Sequence, residues 1–341
     1  MGFLQATQDL DSVVTPVISW CIIATGLSGT CANILTILVF RKLGFSTNIH
    51  ISYTALAVSD LGCVLFICVA GLHALLDGSS LPSAAKTSML LRSLAGVLSR
   101  RTSLITAWIS LERCVGVVFP TRVKLLITRP ITIATLVAIF IITFVPVAMI
   151  HVVKNTVSDL NANVYNSTST TLSDSGFHST LMEELREGVL VLFSVVIPLL
   201  SWLCVAVCTV TLSVKLRASA RWRRHNCTNV LVTGAAQHRH ETHRSTRADR
   251  ATKKVIVVAV VFLVCSLPAA GHTFTSFMVR DFSEDGALRY IHQSVLMAAS
   301  WVTQINGSIN LVIFTAMGLR FRNTLTHMIS LRVRASSTAR Q

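Results

Sequence analysis

Five stretches of the chain carry no charged residue: Ser12–Phe40, Pro130–Val153, Gly188–Val214, Val255–Val279 and Tyr290–Leu319. Each is longer than the roughly 20 apolar residues that take an α-helix across a bilayer. Two further segments, Leu43–Leu76 and Thr87–Phe119, are long and mostly apolar but hold a few internal charges. The pattern predicts an all-α membrane protein: a seven-transmembrane helix bundle with spans near 13–40, 48–75, 87–119, 131–153, 188–214, 252–279 and 290–317. Gly, Pro and Ser recur inside these spans, as membrane helices tolerate. The competing reading, an enzyme with a large buried core, fails on length, because buried helices rarely exceed about 20 residues without a charge.

Composition agrees. The chain is 52% hydrophobic and only 13% charged, with a mean hydropathy of +0.63. A soluble domain of 341 residues needs far more polar surface. Residues 1–11 hold Asp9 and Asp11 but no Lys or Arg, the reverse of a signal-peptide n-region. The first helix is therefore expected to act as its own insertion signal.

Charge then orients the spans. With the N-terminus outside, 21 of the 30 Lys and Arg fall in the inner connections and tail, and five in the outer connections. The remaining four, Arg92, Arg100, Arg101 and Arg113, lie inside the third span. This asymmetry predicts residues 1–12 outside and the C-terminus in the cytoplasm. Residues 215–251 become a long basic cytoplasmic loop, and 319–341 an amphipathic helix with a cytoplasmic tail. The net charge of +15 is then explained by topology and contact with anionic membrane lipid, not by nucleic acid. The outer connection 154–187 is rich in Ser, Thr and Asn, and Asn166-Ser-Thr in it is a glycosylation sequon.

Ionisable and amide groups at membrane depth are costly and mark function. Asp60 lies mid-span in the second helix, Asn33 in the first, and Asn306 and Asn310 one turn apart in the last. Together they would either hold water or a small cation, or tie helices by hydrogen bonds. Glu112-Arg113 sits at the cytoplasmic end of the third span, where a charge pair that changes partners makes a two-state device.

These residues, in this order, resemble the rhodopsin-like G-protein-coupled receptors over about residues 13–330. Asn33 matches the first-helix asparagine, and Leu56-Ala-Val-Ser-Asp60 the second-helix Leu-Ala-x-x-Asp motif. Glu112-Arg113-Cys114, with Pro120 following, matches the Asp/Glu-Arg-Tyr triplet. Pro198 fits the fifth-helix proline; Phe262 and Cys265-Ser-Leu-Pro268 fit the sixth helix. Asn310-Leu-Val-Ile-Phe314 matches Asn-Pro-x-x-Tyr, and Phe321 the amphipathic helix beyond it. The triplet and its flank are most similar to divergent molluscan and other invertebrate chemosensory-type receptors.

The resemblance implies a receptor for an extracellular small-molecule or peptide ligand that activates a heterotrimeric G protein. Glu112, Arg113, Cys114, Pro120, Phe262, Pro268, Asn310 and Phe314 would serve coupling and activation. Asp60, Thr102, Asn306 and Asn310 resemble the family's sodium site; no other cofactor is implied. Ser and Thr in the tail would take phosphate from receptor kinases and so recruit arrestin. The plasma membrane is the expected location.

Departures from the family pattern are equally specific. Ser266 replaces the sixth-helix tryptophan, Leu311 the seventh-helix proline, and Ala206 and Phe314 two tyrosines. Ser88 stands at the third-helix cysteine position and 154–187 contains no cysteine, so no outer disulfide is expected. Ala95 and Gln304 occupy the positions of the amine-receptor aspartate and the retinal lysine, which argues against both ligand types. Arg92, Ser99, Arg100, Arg101 and Ser266, with Ala95 and Gln304, are the candidate ligand contacts. The arginines would meet an anionic ligand bidentately or else backbone carbonyls. A transporter or channel would also place charges at depth, but neither repeated halves nor broken helix pairs appear; a signalling-inactive receptor relic is the other alternative. Nucleophile, metal-ligand and phosphate-loop motifs of an enzyme are absent from the sequence.

Overall fold

The computed structural model describes residues 2–45, 47–76, 82–145, 184–185, 188–189, 191–227, 235–283 and 286–338. Along them run α1 (Gly2–Leu43), α2 (Asn48–Leu76), α3 (Pro82–Val118), α4 (Arg129–Ile142), α5 (Ile197–Cys227), α6 (Ala235–Met278), α7 (Arg289–Met317) and α8 (Leu319–Thr338). A single turn, Val123–Leu126, precedes α4, and a π-helical turn, Leu192–Val196, leads into α5.

Helix α1 packs on α2, α2 on α3, α3 on α5, α5 on α6 and α6 on α7, which returns to α1 and α2; α4 lies against α2 and α3. This is a seven-helix bundle. Leu27, Leu65, Val207, Val264 and Val312 are exposed on it, an outward apolar surface that only lipid satisfies. Four segments, Gln5–Leu43, Asn48–Leu76, Leu192–Ser219 and Thr252–Met278, are long and apolar enough to cross a membrane, and α7 with α8 makes a fifth. Helix α3 is diluted by its arginines, and α4 stops after 14 residues, so neither meets that plain test.

Arg113 marks one end of the bundle and His272 the other. The main core, with Phe40, Leu56, Ile109, Phe314 and Phe321, lies towards the Arg113 end. A smaller one, with Ile22, Ile67, Ala95 and Met297, lies towards the His272 end. A third joins Ala107 of α3, Val205 of α5 and Ala259 with Phe262 of α6.

Helix boundaries depart from the sequence expectations at several points. Residues 2–12 continue α1 instead of forming an extension, and Asp11 accepts hydrogen bonds from Ser294 of α7 (2.7 Å) and Thr15 (2.9 Å). The basic stretch expected as a loop over 215–251 is largely helix, α5 reaching Cys227 and α6 starting at Ala235. Its Ala, Arg, Gln and Lys residues are strong helix formers that need no tertiary burial to extend an existing helix. Residues 146–153, expected to complete the fourth span, lie outside the described residues, as does Asn166.

With Leu311 in place of proline, α7 runs unbroken from Arg289 to Met317, and the chain turns by 99° only at the junction with α8. Gly318 makes that turn. A Cβ there would lie 2.6 Å from the Phe314 carbonyl oxygen and 2.8 Å from Lys254 Nζ. Helix α8 is amphipathic as expected: Phe321 and Leu325 are buried and Arg320 and Arg322 exposed.

Helices α1 and α7 approach closely at Gly29, where a Cβ would collide with Ser308 Oγ. Asn33 secures the same contact, its Nδ2 donating to the carbonyls of Gly307 (2.9 Å) and Gly29 (3.0 Å).

Candidate functional site: a cavity above a buried carboxylate

A cavity of about 630 Å³ opens among α2, α3, α5, α6 and α7, with its floor at Asp60 and Gly307. Much of the wall is apolar, formed by such residues as Ile67, Val195, Phe262, Leu296 and Met297. Of the candidate ligand contacts, Ala95, Ser99, Arg100 and Ser266 line it. The Arg92 side chain lies outside the described residues.

Arg100 is held by a backbone defect in the neighbouring helix. The Ile197 N–H reaches back five residues to the Leu192 carbonyl, so it does not serve Phe193, its partner in an ordinary α-helix. Pro198, next in line, has no N–H. The Phe193 carbonyl is thus left over, and Arg100 Nε donates to it at 2.7 Å, while Nη2 donates to Ser194 Oγ at 2.9 Å. Two bonds in one plane suit the rigid guanidinium fork.

Two candidates prove to lie elsewhere. Arg101 turns from the cavity to α4: its guanidinium carbon sits 4.2 Å from the Phe140 ring centre and 4.7 Å from that of Phe144, and Nε donates to Thr143 Oγ1 at 3.1 Å. Successive residues on a helix diverge by about 100°, so Arg100 and Arg101 cannot share a face. Gln304 is fully buried between helices, accepting from Thr25 of α1 (2.9 Å) and donating to the Val64 carbonyl of α2 (3.3 Å). It does not line the cavity.

The polar residues of the floor meet as their spacing suggested. Asp60, 1% exposed, accepts from Thr102 Oγ1 at Oδ1 (2.8 Å) and from Asn310 Nδ2 at Oδ2 (2.7 Å). Asn306 lines the same floor without bonding to the carboxylate. No Lys, Arg or His forms an ion pair with Asp60 among the described residues, so a buried carboxylate lacks a counter-charge. One carboxylate surrounded by neutral hydroxyl and amide oxygens is a donor set that fits a hard monovalent cation.

At the Arg113 end, the expected Glu112–Arg113 pair is not made. Glu112, 9% exposed, accepts from Ser52 Oγ at 3.2 Å, and Arg113 Nε is buried without a hydrogen-bond partner. Cys114 packs partly buried against the main core, and Pro120 is exposed in the turn after α3. Phe262 is buried beside the cavity; Pro268 interrupts the hydrogen-bond ladder of α6. Phe314 lies 4.7 Å from Tyr53 and 5.7 Å from Phe321, centre to centre, in an aromatic cluster joining α2, α7 and α8. The eight cysteines whose side chains are described are all free thiols.

The match to known families accords with this geometry. The model of the family described as "7 transmembrane receptor (rhodopsin family)" matches residues 31–314. The chain belongs to this family. It is therefore a multi-pass membrane receptor of a class that signals without enzymatic chemistry of its own. No curated protein matches the chain.

Sequence reasoning missed Ser52, Phe193, Ser194 and Thr143, the partners of Glu112, Arg100 and Arg101. A carbonyl freed by Pro198 could have been foreseen, since any proline in a helix frees one. Which side chain takes it depends on helix rotation, which the sequence does not display. It also missed the rings of His272 and His292, 4.7 Å apart between α6 and α7.

Proposed function

We propose that this receptor binds an extracellular ligand in the cavity at its His272 end and activates a heterotrimeric G protein at its Arg113 end. The observation that carries the reading is at Arg113: its buried Nε has no hydrogen-bond acceptor, at the end opposite the cavity. The Lys and Arg excess in the connections at that end supports its placement in the cytoplasm, at the plasma membrane, with the N-terminus outside.

The ligand carries an anionic group and meets Arg100; chemosensory cues, amino acids and peptide carboxylates are the class to screen. Binding shifts a population between two helix arrangements. Sodium at Asp60, Thr102, Asn306 and Asn310 favours the resting one. Asn166 carries the glycan, and tail phosphorylation recruits arrestin. The test is guanine-nucleotide exchange on purified G protein by the purified receptor across a panel of anionic compounds. Stimulation lost in Arg113→Glu is expected; stimulation that survives it overturns the reading.

A further inference from the structure

The cavity is bounded on one side by residues that also belong to the outer surface. On α6, Val260, Val264, Leu267 and Phe274 are exposed at helical spacing, one outward stripe. On α5, Leu199, Leu203, Val207 and Val210 form another. Val260, Val264, Leu203, Val207 and Val210 face outward only, whereas Leu199, Leu267 and Phe274 continue the stripes and line the cavity as well. Side chains that bound interior and exterior alike leave the wall there one side chain thick. Pro198 lies in the first turn of α5, beside the π turn, and Pro268 lies inside α6, so each helix lacks a ladder hydrogen bond there.

The cavity holds fixed charges of both signs, with the acid at its floor. Among the described lining residues, the fixed charges are Arg100 and Asp60. Both Asp60 oxygens are already engaged at the floor. Arg100 uses Nε and Nη2 on the π turn, and its Nη1, beside Gly96, makes no hydrogen bond among the described residues. A guanidinium with free N–H groups against an apolar chamber matches a carboxylate on an apolar tail.

Resting on the cavity reading proposed above, we infer that the ligand is a lipophilic monocarboxylate, a free fatty acid in chemical class, admitted sideways from the bilayer between α5 and α6. Its carboxylate takes Arg100 Nη1 while Nε stays on the Phe193 carbonyl. Its chain lies along the apolar wall towards Phe274. A zwitterionic amino acid would have to carry its ammonium group down to Asp60 on the floor, the one acid in the described lining, which already accepts from Thr102 and Asn310.

The experiment uses the full chain in lipid nanodiscs, photolabelled with dodecanoate bearing a diazirine near its methyl end. Unlabelled dodecanoate, its methyl ester and dodecyltrimethylammonium compete. The acid is expected to displace label from cavity peptides about ten- to a hundredfold better than the ester, as loss of a charged hydrogen bond gives. The ammonium compound should not compete. Arg100→Gln should erase the preference for acid over ester. Ala270→Trp, at the rim, should slow labelling by bilayer-loaded probe severalfold. Competition independent of head group, or label confined to lipid-facing peptides, overturns the inference; an unchanged rate in Ala270→Trp overturns the lateral route. The head-group comparison uses the unaltered chain, so a misfolded Arg100→Gln variant leaves it decisive. Labelling does not depend on G-protein coupling. A peptide or amino acid that drives exchange in a receptor dodecanoate fails to label would sink this inference alone, and labelling without any exchange would sink the coupling reading alone.

Discussion

Glu112 bonds to Ser52 across the α2–α3 contact, at 3.2 Å, and not to the arginine that follows it in the chain. Adjacent helical side chains point about 100° apart, so a neighbour in sequence is a poor partner, and the helix alongside supplies a better one. Arg113 is left with a buried Nε lacking an acceptor, and Lys254 of α6 lies within its electrostatic reach. Arg113 thus faces a second cation, beside an acid that is already engaged with Ser52.

Glu112→Gln keeps an acceptor for Ser52 and removes only the charge. With the nearest acid neutralised, the resting state loses its compensation for Arg113, and basal nucleotide exchange should rise severalfold. Arg113→Glu should instead abolish agonist-driven exchange while the receptor still reaches the cell surface. Exchange assays beside surface labelling measure both; a silent Glu112→Gln at normal surface level would contradict the first.

Asp60→Asn tests the floor. A cation that binds the folded bundle stabilises it by mass action, about 1.4 kcal/mol at ten times its Kd. Thermal unfolding in sodium against an equal concentration of choline should show a higher Tm in sodium for the parent chain. In Asp60→Asn the two salts should give the same Tm, because the amide keeps the hydrogen-bonding shape but not the charge. A sodium effect that persists in the variant would place the ion elsewhere.

Much of this architecture was legible in the order of apolar runs. Uncharged stretches longer than a bilayer leave a chain few choices, and Asp60, Asn33, Asn306 and Asn310 declared themselves as polar residues where polarity is expensive, whereas Thr102 came only from the resemblance to the family's sodium site. Azimuth was not legible. Whether Arg100 or Arg101 faces the cavity turns on a rotation of 100°, and the π turn before Pro198 shifts the register of α5 by one residue. Gln304, a candidate ligand contact, turns between α1 and α2 for the same reason. Helix length past the membrane also escaped, because the polar residues of 215–251 favour helix as readily as loop.

Gly29→Leu should weaken the α1–α7 contact. Its side chain would have to enter the space of Ser308 Oγ and the Val64 methyl group, and overpacking of this kind costs about 1–3 kcal/mol. The separation of α1 from α7 would also lengthen the Asn33 bond to the Gly307 carbonyl. Lower Tm of the purified protein and reduced surface level are expected. A variant as stable as the parent would mean that the helices part at no cost.

Phe314→Tyr restores the residue the family often has at this position, yet should harm this chain. Phe314 is 2% exposed and surrounded by the rings of Phe40, Tyr53 and Phe321, with centre-to-centre distances of 5.5, 4.7 and 5.7 Å. A hydroxyl added there enters an apolar cluster, and Ala206, where the family often has a second tyrosine, offers it no partner. Burying an unbonded hydroxyl costs about 1–3 kcal/mol in proteins, so the Tm should fall. The paired change Phe314→Tyr with Ala206→Tyr separates the explanations: if the two hydroxyls meet when α5 and α7 rearrange, agonist should recover part of the lost stability in the double variant and none in the single one. Equal responses would show that the aromatic cluster, and not a missing partner, sets the cost.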